Sequence, residues 1–210
     1  MLDLVQGTPE WLAARAGSLG ASMIGDALAR TKSGWGASRA NLMSRLATER
    51  LTGKPTETFS NGAMQRGIEL EPDARAWYSF HSGHDVVEVG IVQHPTIAYT
   101  HCSPDGLIGD TGMVELKCCG QSRHFELLND SPPEDRYVKQ CLWQLACTGR
   151  QWVDLAYFHP DFPTEMQIVV HRIERDADAI AALETEVAAF LAEVDAMLTT
   201  TRNRYMKEAA

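Results

Sequence analysis

Ser103-Pro104-Asp105-Gly106 and, after seven residues, Val114-Glu115-Leu116-Lys117 bring two carboxylates and a lysine into a short stretch of chain. Pro-Asp-Gly predicts a tight turn, and Gly109-Asp110-Thr111-Gly112 a short hairpin connection between two strands. Side chains on a strand alternate faces, so Glu115 and Lys117 point the same way and Leu116 points into the core. Asp105, at the end of the preceding strand, reaches the same edge. Two carboxylates at close range attract a hard divalent cation, and the Leu116 carbonyl offers a further oxygen ligand. The Lys117 ammonium then lies where an attacking water or a phosphate oxygen would be. Metal-dependent phosphodiester hydrolysis asks for this arrangement, because the ion makes a nucleophile from water and screens charge on the phosphate. The same types also have a plainer reading: Pro-Asp-Gly is a common turn, and Glu-x-Lys occurs on solvated strands.

The elements that must position these groups follow from caps and periodicity. Thr8-Pro9-Glu10 reads as a helix start, carrying Arg15 and ending near Gly17. Ser22 reads as the N-cap of a short helix through Ala29, whose free N–H groups would favour an anion. A basic loop, Arg30 to Gly36, precedes a helix from Ser38 to Thr52 with Leu42, Leu46 and Leu51 facing the core. Asn61 to His81 is helical up to Gly83, with Gly67 and Pro72 predicting a kink or a change of packing. Glu71 on it has Arg75 as its i+4 neighbour. Val86 to Gln93 and Ile97 to Cys102 read as strands. A helix from about Glu134 to Cys147 carries Tyr137, Val138, Cys141, Leu142 and Leu145 on its apolar face, with Gln140 and Gln144 on one line beside it. Strands follow over Trp152–Phe158 and Met166–Ile173, then one amphipathic helix from Asp176 to Leu198 and a basic, frayed tail. Helices, strands, a helix, strands and a helix make an α/β domain with a mixed central sheet flanked by helices.

At 210 residues and 44% hydrophobic, the chain can bury a sizeable core as one domain. No apolar run reaches membrane-spanning length, and the N-terminus lacks a signal pattern. Five cysteines without a CxxC or zinc-type spacing point to reduced thiols and a cytoplasmic location. The net charge of −9 argues at first against a nucleic-acid partner. Its distribution argues otherwise. Trp11 to Pro55 holds seven Lys or Arg against two acids, and Pro160 to Met197 nine acids against two arginines. A basic mouth for a polyanion with an acidic far side is one reading; two ordinary solvated helical surfaces are the other.

Taken together and in this order, Arg15, Ser22, Glu71, Ser103-Pro104-Asp105-Gly106, Glu115-Leu116-Lys117-Cys118 and Gln140 resemble the lambda exonuclease family, the YqaJ-type viral recombinases of the PD-(D/E)xK nucleases. The resemblance runs from about Trp11 to the last helix and is most specific in the paired CSPDG and ELKC blocks. It implies a restriction-endonuclease-like core forming a single nuclease domain over 1–210. This has a basic helical part at about 8–55, a catalytic core at about 60–175 and a C-terminal helix at about 176–198.

The resemblance also implies an activity, a metal and partners. The activity is Mg2+-dependent 5′→3′ digestion of 5′-phosphorylated duplex DNA to mononucleotides. Mn2+ would be able to substitute, and each active site would hold two ions. A homotrimeric ring and a single-strand annealing partner that coats the exposed 3′ strand come with it, and no membrane. By the same resemblance Asp105 and Glu115 are metal carboxylates completed by the Leu116 carbonyl, and Glu71 serves a second metal site. Lys117 activates water and stabilises the transition state, with Gln140 at the site edge. Arg15, Ser22 and Ser103 form a pocket for the terminal 5′-phosphate. Met64 falls at the position of an apolar wedge against the last base pair, and Lys32 where the family sends an arginine into the minor groove. Two other readings stand beside this one: a PD-(D/E)xK endonuclease or structure-specific nuclease, and a non-catalytic DNA-binding recombination protein.

Overall fold

Thr8 caps the first helix through its side chain, Oγ1 accepting from the Trp11 amide, and Pro9 occupies the first helical turn. The computed structural model describes residues 2, 4–56 and 62–206, without the side chains of Ala63 and Met64. In chain order the elements begin with α1 (Pro9–Arg15), β1 (Leu19–Gly20), a 3-10 turn (Ala21–Met23), α2 (Ile24–Ala27), β2 (Arg30–Thr31) and β3 (Gly34–Trp35). Next come α3 (Ala37–Thr52), α4 (Gly62–Ser82), β4 (Val86–Val87), β5 (Val92–Gln93), β6 (Thr100–Cys102), β7 (Gly106–Ile108) and β8 (Gly112–Cys118). The chain continues through α5 (Gln121–Leu128), α6 (Asp135–Thr148), β9 (Trp152–Phe158), a second 3-10 turn (Thr164–Met166), β10 (Ile168–Glu174) and α7 (Ala177–Tyr205).

The central sheet has the order β10-β9-β8-β7-β4. The β8–β9 pair is parallel and the other pairs are antiparallel, so the sheet is mixed. A three-stranded sheet, β1-β6-β5, and the β2–β3 hairpin stand beside it. Alternation along β8 divides two cores. Val114 and Leu116 pack with Ala74 and Tyr78 of α4, Ala156 and Phe158. Met113, on the opposite face, packs with Leu155, Tyr157, Trp143 of α6 and Phe190 of α7. Burying a Leu116-sized side chain is worth about 2 kcal/mol, so register is set by two dry faces at once. Glu115 and Lys117 share the Met113 face, which is covered by α6. That helix is pinned by Trp143, whose indole N–H donates to Thr100 Oγ1 at 3.0 Å.

Several local expectations give way to tertiary packing. Val86 to Gln93 is not one strand: β4 joins the central sheet, β5 joins the smaller one, and Glu88–Gly90 between them belongs to neither. Of the strand expected over Ile97–Cys102, only Thr100–Cys102 is extended in a sheet. Ser22 caps nothing; it lies inside the 3-10 turn, and α2 is only four residues long, too short to present an N-terminal anion site. Arg30 to Gly36 is a hairpin rather than an open loop. Leu51 is exposed. The helix α4 runs unbroken through Pro72 to Gly83, where φ of 71° ends it. The apolar side of α6 includes the fully buried Trp143, while Tyr137, Val138 and Leu142 are only half-buried. The helix α5 arises where no element was expected, and α7 extends to Tyr205, absorbing most of the tail read as frayed. The basic and acidic segments are neighbours rather than opposite poles. Arg39 pairs with Glu193 at 2.8 Å and Arg50 with Asp195 at 2.6 Å, across the α3–α7 contact. Among the described residues no helix is long and apolar enough to cross a membrane.

Candidate active site

A cavity lined by Gln6, Trp11, Arg15, Ala21, Ser22, His101, Ser103, Asp105, Glu115, Lys117 and Gln140 opens at the end of β8. The larger cavity on the far side of His101 is lined by residues 91 and 93–101 with Ala14, Ala16 and Ser18, none of them acidic, whereas the smaller one gathers Asp105, Glu115 and Lys117.

Glu115 is buried, 2% exposed, and among the described residues three donors meet its carboxylate. Oε1 accepts from Lys117 Nζ and from Gln140 Nε2, each at 2.5 Å. Oε2 accepts from Gln144 Nε2 at 2.5 Å. Asp105, just past β6, has Oδ2 accepting from the Leu116 amide at 2.7 Å, which ties the turn to β8. Burial and then the Glu115 carboxylate hold the Asp105 carboxyl well above the usual carboxylate range, against the pull of Lys117. Burial works against the charged form of Lys117, but Glu115 and Asp105 outweigh it and hold the ammonium above the ordinary lysine value. The ring of Tyr137 lies 4.7 Å from Lys117 Nζ. Glu71 stands at the edge: Oε1 accepts from Arg75 Nη2 at 2.7 Å, and burial raises its carboxyl despite that arginine.

The donor set fits a hard divalent cation in its chemistry. Asp105, Glu115 and the Leu116 carbonyl offer only oxygens. Burial raises both Asp105 and Glu71, and Glu115 adds repulsion to each; a cation would offset both effects by favouring the charged carboxylates. Among the described residues no three His, Cys, Asp or Glu side chains converge closely enough to hold one ion, and Glu71 is engaged by Arg75 instead.

On the opposite wall, Arg15 is fixed on several sides. Its guanidinium lies 3.8 Å from the Trp11 ring centroid, and Nε donates to His101 Nε2 at 3.0 Å. Burial and then the nearby Arg45 lower its pKa to about 10, which leaves it charged at neutral pH. Ser103 lines the cavity, but its hydroxyl donates to Gly90 O at 2.7 Å and accepts from Trp11 Nε1 at 3.3 Å. That proton already has an acceptor, so Ser103 acts on Trp11 in this structure rather than as a free donor. Ser22 is exposed on the cavity rim. Lys32 lies at the turn of the β2–β3 hairpin, outside the cavity, and the Met64 side chain lies outside the described residues.

Sequence reasoning missed Gln144, His101, Trp11 and Gln6 as site residues. Gln144 was legible, being one turn from Gln140 on the same line. His101 was also within reach, since strand alternation places it on the side of Ser103.

A family profile described as the YqaJ-like viral recombinase domain matches residues 10–151. The structure is similar to that of an alkaline exonuclease from Laribacter hongkongensis: 47% identity, TM-score 0.88, covering 96% of this chain and 100% of that one. The complex of that enzyme with dAMP matches with 48% identity, TM-score 0.88 and the same coverage. A phage-related exonuclease from Haemophilus somnus 129PT, 13% identical over 88% of this chain and 96% of its own, has a TM-score of 0.68 and speaks for the fold alone. No curated protein matches the chain in sequence. The fold to which these structures belong is PD-(D/E)xK-like.

Proposed function

The chain belongs to the YqaJ-like viral recombinase family and is a nuclease, and on that premise we propose that it digests duplex DNA from 5′-phosphorylated ends, 5′→3′, releasing mononucleotides. One observation carries this reading: Arg15 shares a single cavity with Asp105, Glu115, Lys117 and Gln140. A hydrolytic centre beside a separate anion clamp suits a chain end better than an internal phosphodiester. A guanidinium can meet a terminal phosphate with parallel hydrogen bonds. The dAMP bound by the 48% identical relative is of the product class proposed.

Asp105, Glu115 and the Leu116 carbonyl would hold Mg2+ or Mn2+, with Glu71 at a second ion. Metal of this kind supplies a nucleophile from water at neutral pH and screens phosphoryl charge. Lys117, held charged by Glu115, stabilises negative charge that grows on the phosphate oxygens. Gln140 and Gln144 hold Glu115 in one rotamer, and Ser22 adds a hydroxyl at the rim. Lys32, at the turn of its hairpin outside the cavity, would meet the duplex as a minor-groove contact, and Met64 would serve as the wedge at the last base pair. A single domain working in a homotrimeric ring, handing its 3′ strand to an annealing protein, completes the reading.

The test is digestion of linear duplexes labelled at the 5′ or the 3′ end, with Mg2+ and then with EDTA, alongside gel filtration. Early release of the 5′ label as mononucleotide, abolished by EDTA, is expected. Cutting of covalently closed circular duplex would overturn the exonuclease reading in favour of an endonuclease.

A further inference from the structure

His101 is 2% exposed, lines both cavities, and among the described residues makes no hydrogen bond to the carboxylates or Lys117. Its ring has a partner on each nitrogen: Arg15 Nε at 3.0 Å from Nε2, and Ser18 Oγ at 2.8 Å from Nδ1. An arginine Nε can only donate, so Nε2 must accept. The ring proton therefore sits on Nδ1, and Ser18 Oγ accepts it. A protonated ring has no acceptor to offer and would set a cation against a guanidinium. Burial and the Arg15 charge exclude that state, pushing the imidazole pKa down to about 3.

Two further features restrain the same guanidinium. Trp11 covers one face at 3.8 Å. At Gly20 an added Cβ would lie 3.1 Å from Arg15 Nη2 and 3.2 Å from His101 Nε2, so the bare backbone there makes room for both groups. Among the described residues Nη1 and Nη2 make no hydrogen bond, and they are the donors left for a ligand.

We propose that His101 is a positioning residue that ties down Arg15 through a neutral acceptor, aiming the two terminal nitrogens at the 5′-phosphate while leaving the full positive charge for it. A carboxylate in its place would orient the arginine equally well but would cancel the charge that selects a dianionic end over a hydroxyl. The inference rests on the 5′-phosphate reading above and adds the device that makes the pocket selective.

The test compares initial rates and KM on 5′-phosphorylated and 5′-hydroxyl duplexes of one sequence, using wild type, His101→Leu, His101→Gln and His101→Glu, with melting temperatures recorded alongside. In His101→Leu the phosphoryl-to-hydroxyl rate ratio is expected to fall about tenfold, mainly through KM. In His101→Gln, which keeps a neutral acceptor, it stays within about threefold of wild type. His101→Glu restores a partner for Arg15 and still loses the ratio. A purely structural role would slow both substrates together; an unchanged ratio in His101→Leu, or in His101→Glu, overturns the inference. If His101→Leu does not fold, the Gln and Glu variants decide by the same ratio. A wild type that discriminates while the variants do too sinks only the role of His101. A wild type that does not discriminate sinks the 5′-phosphate reading itself, and the inference with it.

Discussion

Gln144 donates to the Glu115 oxygen that Lys117 and Gln140 do not use, so the carboxylate is held at both atoms by two residues one helical turn apart. Both glutamines are buried, and among the described residues Gln144 Oε1 has no hydrogen-bond partner. That orphan acceptor is tolerated because its amide N–H fixes Glu115. Gln144→Leu is expected to lower kcat about a hundredfold, the usual result of misplacing a reacting group by about 1 Å. Steady-state rates with a thermal melt check it, and a rate within about threefold of wild type would show that Gln140 alone suffices.

Lys117→Met is expected to keep duplex binding and to lose turnover. Its charge acts where negative charge develops, an effect worth several kcal/mol, about 3 or more. Fluorescence anisotropy with duplex, set against single-turnover cleavage, separates binding from chemistry. Near wild-type cleavage would make Lys117 a mere counter-charge for Glu115.

Arg15→Ala is expected to slow 5′-phosphorylated duplex by about a hundredfold and 5′-hydroxyl duplex far less. Equal slowing of the two substrates would assign Arg15 to a general basic surface. The protein-by-substrate comparison isolates the contact from loss of charge.

On the proposed reading, in which Asp105 holds the metal, metal affinity depends on pH. Its folded-state pKa is raised, chiefly by burial and then by Glu115. The protonated form cannot ligate, so affinity for Mn2+ should weaken as pH falls through that raised value and strengthen as pH rises above it. In the metal-free protein the same shift acts on stability: present below the unfolded value of about 3.9, it is lost as pH rises through the folded pKa. Calorimetric titration of Mn2+ at a series of pH values, in buffers of different ionisation enthalpy, is expected to report proton release on binding. Affinity independent of pH would remove Asp105 from the ligand set.

On the α4 side of the sheet, Arg172 meets both oxygens of the buried Asp154 at 2.8 and 2.9 Å, and the Tyr78 hydroxyl donates to Oδ2 at 2.7 Å. Arg172→Met leaves that carboxylate without its counter-charge and, since Arg172 itself is 44% exposed and screened by solvent, should cost about 1.5 kcal/mol. Tyr78→Phe should cost about 1 kcal/mol. Urea unfolding midpoints at constant slope measure both, and a loss below about 0.5 kcal/mol for Arg172→Met would show that solvent on its exposed side replaces the pair.

Short-range chemistry was legible in the sequence. Thr8 and Pro9 start α1, alternation sends Leu116 one way and Glu115 with Lys117 the other, and Asp105 returns to the same edge. These depend on one or two covalent neighbours and on the period of the backbone, which the chain carries in its order. What tertiary structure alone decided lies between segments distant in sequence. Val86 and Val92 enter different sheets, β4 pairing with the edge of β7 and β5 with that of β6, and those partners exist only in the folded chain. The basic α3 and the acidic α7 pair across their contact because opposite charges on packed helices attract. Ser22 sits in a 3-10 turn instead of at a helix start. His101 meets Arg15 across 86 residues of chain, a contact that no spacing encodes because it exists only once β6 has paired with β1.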